Sequence, residues 1–248
     1  MEILSKAFDR RIASLSIIFE SYSVLHGVYH AILRSANVPE RQYALFEKTR
    51  DSAIRKQNEI SDSLHTQAFI LMTGSAEALL KDLQDDLILE NFTRLNNLSD
   101  VKFEVGELTK IIKESEQGDF VSLKLAESVI RQLGNGNTNP QEKVNFQNPQ
   151  SMRDGFSRLF GIQIDTTTEL YLNIRSYWLK RHALVHSEGI ADKRYVDNMR
   201  KAGFDVKEGD RVIIAKIDYD RAVGCFRHMF SQIEAELVRL GLSFEGIG

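Results

Sequence analysis

The stretch "HTQAFILMTGSAEALLKDLQDDL", His65 to Leu87, decides the fold. Its apolar residues Ala68, Leu71, Ala78, Leu79, Leu83 and Leu87 keep to one side of a helix rather than alternating as a strand would. The same periodicity reaches back through Leu64 and Ile60, and Pro39, a residue favoured in a first helical turn, marks where that helix should begin. Before it, Ile12, Leu15, Phe19, Tyr22, Leu25, Tyr29 and Ile32 form another stripe, so Leu4 to Ile32 is a predicted helix that ends by Asn37 to Pro39. Two long helices in succession predict a hairpin, with or without a break near Asp51.

Downstream the signal thins. Asn96 to Asn148 holds short apolar groups that suggest one or two short helices. Overlapping its end, "LGNGNTNPQEKVNFQNPQ", Leu133 to Gln150, carries two glycines, two prolines and five asparagines and reads as a long surface loop, not a domain boundary. Thr166 with Glu169 has the spacing of a capping box, and Leu170, Ile174, Trp178, Leu179 and Val185 then predict a helix to about His186 that stops before Gly189. The Gly-Asp turn and β-branched run of "KEGDRVIIAKI" predict a small hairpin over Val206 to Ile217, followed by a helix from about Asp218 to Leu240. The expected fold is all-α: an elongated helical bundle, one domain over 1–248, with a minor β-hairpin near the C-terminus.

Bulk numbers bound the function. The 248 residues, 42% hydrophobic, suffice for a real core, and a formal charge of -3 argues against a protein that coats nucleic acid nonspecifically. The single cysteine, Cys225, excludes an internal disulfide and any cysteine-cluster metal site, and it suits a reducing cytoplasmic setting. Asp9, Arg10 and Arg11 interrupt the apolar start, so no export signal is expected, and runs such as Ala68 to Met72 are far shorter than the roughly 20 residues of a membrane span.

The chemistry concentrates in "LKRHALVHSEGIADKRY", Leu179 to Tyr195. His182 and His186 are four apart and share a helical face. Arg181 lies about 140° around an ideal helix from His186, so its side chain must curl round the edge to reach the same patch. A histidine moves protons near neutral pH, and an arginine fork holds phosphate and stabilises its charge. With RNA the ribose 2′-hydroxyl is a built-in nucleophile, so base, acid and cation suffice without a metal. One Arg and one His from each protomer of a dimer would supply that set. A plainer account stands beside it: cations gather in last helical turns because the dipole favours them there. Lys193 and Arg194, offset by Glu188, Asp192 and Asp197, read on charge alone as a solvated face.

"RHALVH" resembles the signature of the HEPN superfamily (higher eukaryotes and prokaryotes nucleotide-binding domains): an arginine, usually followed by a polar residue, that precedes a histidine by four to six intervening positions near a helix end. "VHSEGIADKRY" resembles the continuation seen in its ribonuclease-like branch, and His65 to Leu87 looks like that branch's long helix, with Glu77 in its acidic position. The resemblance covers Ser61 to Leu240, while residues 1–60 look only like compatible helices. It implies a helical domain that dimerises with two Arg-His motifs facing across a cleft, and often a metal-independent endoribonuclease of toxin-antitoxin, abortive-infection or phage-defence systems. Carried over, Arg181 binds the scissile phosphate, His186 is general base or acid, and His182 fills the polar position, where asparagine or aspartate is more familiar. Lys180, Lys193, Arg194 and Tyr195 would contact RNA. The implied partners are RNA, a second copy and an antitoxin or defence protein, with no cofactor. Glu188 stands where the antitoxin-modified subgroup carries tyrosine, so nucleotidylation of a tyrosine is not expected.

Rivals are weaker. His182/His186 and His26/His30 are both i, i+4 pairs that facing helices could bring to one metal, but Ala183 and Gly27 stand where a zincin needs glutamate. Cys225, with His228 three residues on, sits in an apolar-periodic helix where a buried thiol is the commoner explanation. "GNGN", Gly134 to Asn137, lacks the lysine of a phosphate-binding loop. The serious alternative is a noncatalytic HEPN-like module that binds RNA, a nucleotide or a protein through the same cleft.

Overall fold

The computed structural model describes residues 3–35, 43–91, 125 and 144–244, and at 16, 26, 28–35, 43–54, 57 and 58 the backbone alone. Six helices stand among the described residues, and the chain is mostly helical. Helices α1 (Ile3–Ser35) and α2 (Tyr43–Glu90) are the long pair that the periodicity predicts, and the 48 residues of α2 pass Asp51 without a break. Pro39, the weak segment Asn96 to Asn148 up to Lys143 (Leu125 apart), and "GNGN" lie outside the described residues.

α1 buries Leu4, Ala7, Phe8, Ile12 and Leu15, and the Phe8 ring meets Phe230 and Phe226 at centroid distances of 5.3 and 6.0 Å. α2 contributes Phe69, Met72, Ala76, Leu79, Leu80, Leu83 and Leu87, each fully buried. Full burial of such a side chain is worth about 1.5–3 kcal/mol, so this seam dominates the stability of the pair. The buried stripe is turned from the one expected: Leu71 is 57% exposed and Ile60 51%, because Phe69 and Met72 take the inward places. Leu25 too is exposed, on the outer half of α1.

Four further helices follow among the described residues: α3 (Pro149–Phe160), α4 (Glu169–His186), α5 (Lys193–Lys201) and α6 (Lys216–Leu240). One buried cluster runs through α1, α2, α3, α4 and α6, while α5 closes a smaller one, Ala183, Ala191, Tyr195, Val196 and Met199, over the end of α4.

Three local expectations are corrected. The end of the asparagine-rich stretch is packed structure, not surface loop: Phe146 is buried, the Asn148 side chain accepts from the Gln150 N–H, and Pro149 opens α3. A Cβ on Gly155 of α3 would overlap the Val144 side chain, so the approach of this segment requires glycine there. The capping box does not form, because α4 starts two residues later. Its N-cap is Thr168, Thr166 meets the Gln150 amide at 3.2 Å instead, and Asp165 accepts from the Thr167 N–H at 2.9 Å. The hairpin over Val206–Ile217 is absent, and no strand occurs among the described residues. Phe204 and Val206 pack under α5, so the β-branched run pairs elsewhere. Arg211 bridges antiparallel to Ile190, with Val212 N–H donating to Gly189 O at 2.7 Å and Ala191 N–H to Asp210 O at 2.9 Å.

A buried carboxylate fixes the start of α1. Glu234 on α6, 2% exposed, accepts from the N–H groups of Ile3 and Leu4 at 3.1 and 3.3 Å. It answers donors that a helix N-terminus leaves unpaired and sits at the positive end of the dipole. Glu234→Gln keeps the shape but loses the charge and offers an N–H₂ to those donors. We expect a loss of about 1–3 kcal/mol, read as a lower denaturant midpoint at constant slope, and an unchanged midpoint would contradict the assignment.

Candidate functional site at the end of α4

The last turns of α4 carry the Arg-His motif, and successive residues of it face different neighbours. Lys180 and His182 are two apart, about 200° round the helix, so they cannot share a patch. Lys180 turns to a hollow of about 470 Å³ with Asp218, Arg221, Cys225 and His228; its ammonium lies 3.9 Å from Asp218 and 5.9 Å from the Tyr177 ring centre. Burial pushes the half-buried Cys225 thiol up, away from a reactive thiolate, and the Tyr177 hydroxyl lies 4.0 Å from its sulfur.

Arg181 does not curl toward the histidines. Its guanidinium crosses α2 beside Gly74 and donates through Nη1 to Glu77 Oε2 at 3.3 Å, while its Nε is buried with no partner among the described residues. Gln147 holds the same carboxylate, its Nε2 2.9 Å from both oxygens. The acid of α2 and the arginine of α4 thus meet, and Gln147, which no local pattern in the sequence marks, steadies them. The Arg181 side chain remains 23% exposed.

His182 and His186 are both exposed, with ring centres 4.7 Å apart. Desolvation holds the His182 pKa below 6.5, helped by the nearby charges of His186, Arg194 and Arg181 and opposed by Asp192. His182 is therefore mostly neutral at neutral pH, able to accept a proton or a hydrogen bond.

After His186 the chain reverses sharply. Ser187 and Gly189 both donate to Ala183 O, at 2.9 and 3.0 Å, and Glu188 and Gly189 both take the left-handed backbone, φ 53° and 73°. A side chain at Gly189 would pay the left-handed penalty of about 1–2 kcal/mol. Asp192 caps α5, accepting from the Tyr195 N–H at 2.7 Å.

The basic-aromatic continuation is divided. Lys193 and Arg194 are exposed on the first turn of α5. Tyr195 is 7% exposed in the α5 core, and burial pushes its hydroxyl up to about 12, so its ring offers no open stacking face for a base. The structure therefore brings His182 and His186 together, turns Arg181 away from them to Glu77 on α2, and sends Lys180 to the other flank. The side chains of His26 and His30 lie outside those described, and among the described residues no group of three or more His, Cys, Asp or Glu is placed to hold a metal.

Comparisons with models of protein families, with curated proteins and with solved structures gave no match.

The His182 shift is checked by the NMR titration of its Cε1–H. The midpoint should lie below 6.5 and rise in His186→Gln and in Arg194→Gln, which each remove a repelling charge. Because the folded pKa is depressed, His182 favours the folded state above about pH 6.5 and loses that contribution as pH falls toward its folded midpoint. A midpoint at or above 6.5 would refute the account.

Proposed function

We propose that this chain is a metal-independent endoribonuclease with a HEPN-like elongated bundle, working as a cytoplasmic homodimer in a toxin-antitoxin, abortive-infection or phage-defence role. The observation that carries the chemistry is the exposed His182/His186 pair, ring centres 4.7 Å apart, at the end of the helix that also carries Arg181, whose guanidinium Glu77 tethers. The family and the biological role are supported by the resemblance of "RHALVH" and of His65 to Leu87 alone.

In the mechanism, His186 of one protomer takes the proton of a ribose 2′-hydroxyl, whose oxygen attacks the adjacent phosphorus. The P–O5′ bond breaks, and the second protomer's copy of the same histidine protonates the leaving 5′-oxygen. Arg181 neutralises the charge that builds on the phosphate oxygens, and His182 orients either partner through its neutral ring. A facing copy suits the surroundings: Val185 and Ile190, next to His186 in α4 and just past its end, are 46% and 42% exposed and offer apolar surface. An antitoxin or another defence protein could use the same surface to inhibit.

The Glu77 ion pair favours a second reading, in which the face binds RNA, a nucleotide or a protein without cutting. The two differ in outcome: a binding module retains RNA intact. For the enzyme, His186→Ala lowers cleavage by about 10²–10⁴-fold with the dimer preserved. Arg181→Ala, which removes the guanidinium that neutralises the phosphate, loses at least about 10²-fold. Normal cleavage by either variant would remove this site from the mechanism.

A further inference from the structure

Beside the motif, but not formed by Arg181 or His186, lies a second cavity of about 240 Å³ where three elements converge. α4 supplies Arg175, Trp178 and His182, a stripe at i, i+3 and i+7; α5 supplies Arg194 and Asn198; the segment before α3 supplies Asn145. The volume lies below the roughly 300–1,000 Å³ of pockets for drug-sized ligands, so the occupant is small.

Its polar inventory is lopsided. Arg175 and Arg194 make no ion pair with any described residue, unlike Arg181, Arg153 or Arg227. The one carboxylate at the wall, Asp192, is engaged: one oxygen accepts the Tyr195 N–H and the other lies 3.4 Å from the Ser187 hydroxyl. Trp178 is 3% exposed, and its indole N–H is buried without an acceptor among the described residues. Such an orphaned donor costs about 1–3 kcal/mol unless something accepts from it. Two guanidinium groups with no ion pair among the described residues, together with the amide N–H₂ groups of Asn145 and Asn198, make this small space rich in donors and suited to an oxyanion.

We propose that this cavity is a phosphate-binding site, with Arg175 and Arg194 as its cationic clamp and Trp178 in its wall. A phosphate could come from an RNA backbone, entering beside the residue to be cut, or from a small free phosphate compound. Only the first source depends on the ribonuclease proposal.

Trp178 is the sole tryptophan of the chain, so its fluorescence reports on the cavity directly. The full-length protein is titrated with sodium phosphate against sodium chloride at matched ionic strength, and then with phosphate in the presence of a short 2′-O-methyl RNA that cannot be cut. A saturable change with phosphate alone, weakened about tenfold in Arg175→Gln and in Arg194→Gln at unchanged helical circular dichroism, supports the site. Competition by the RNA identifies the backbone as the source, and its absence identifies a free phosphate compound. No saturable change, or one that persists in both variants, overturns the site. Cleavage without a phosphate response would sink this inference alone, and a phosphate response without cleavage would sink the ribonuclease proposal alone.

Discussion

The packing of Tyr177 and Trp178 on α4 against Phe69 of α2 and Phe226 of α6 is the constraint from which the site follows. The ring centres lie 6.1 Å apart for Phe69 and Tyr177, 6.4 Å for Tyr177 and Phe226, and 5.7 Å for Trp178 and Phe226. Aromatic pairs at such separations add about 0.5–1.5 kcal/mol each beyond the area they bury, so α4 is gripped between the two long helices at this level. With rotation and height set there, the next nine residues have no freedom over which way they face. At 100° per residue Lys180 goes to α6, Arg181 to α2, and His182 and His186 to the open surface between α4 and α5.

Electrostatics then refine what packing positions. Glu77 draws Arg181 onto α2, and Gln147 holds Glu77 from the far side, so an element distant in sequence steadies the arginine. The left-handed pair Glu188 and Gly189 ends α4 and returns the chain at once, and the bridge from Ile190 to Arg211 fastens that return. α5 thereby comes to stand beside His182, which places Arg194 near the imidazole and makes the wall of the smaller cavity. A partly exposed ion pair such as Arg181 with Glu77 contributes little to stability; its effect is on where the guanidinium sits.

The sequence made the long elements legible because their apolar spacing is regular and uninterrupted. α1, α2, α4 and α6 all fall where periodicity puts them. α3 was hidden in polar, glycine-rich surroundings, although Asn148 followed by Pro149 is a helix start and Met152, Phe156 and Leu159 have helical spacing. Composition outweighed the local cap. The hairpin failed for a different cause: a β-branched run shows that a segment can pair, not with what, and here its partner lies before α5. Within the site, Arg181, His182 and His186 are visible as one helical window. The roles of Lys180 and Tyr195 are not, since charge and aromaticity do not reveal that one residue faces α6 and the other fills a core. Gln147 and the cavity formed with Arg175 depend on contacts between distant segments, which no spacing records. The Arg175, Trp178, His182 stripe was the one readable hint of that cavity.

The central claim is that the histidines and Arg181 use the 2′-hydroxyl of RNA as nucleophile with no metal. Its most direct test is end analysis of RNA cut by the purified protein in excess EDTA. The account predicts EDTA-resistant cleavage that leaves a 2′,3′-cyclic phosphate and a 5′-hydroxyl. Products with a 5′-phosphate, or cleavage that disappears with the chelator, would contradict it.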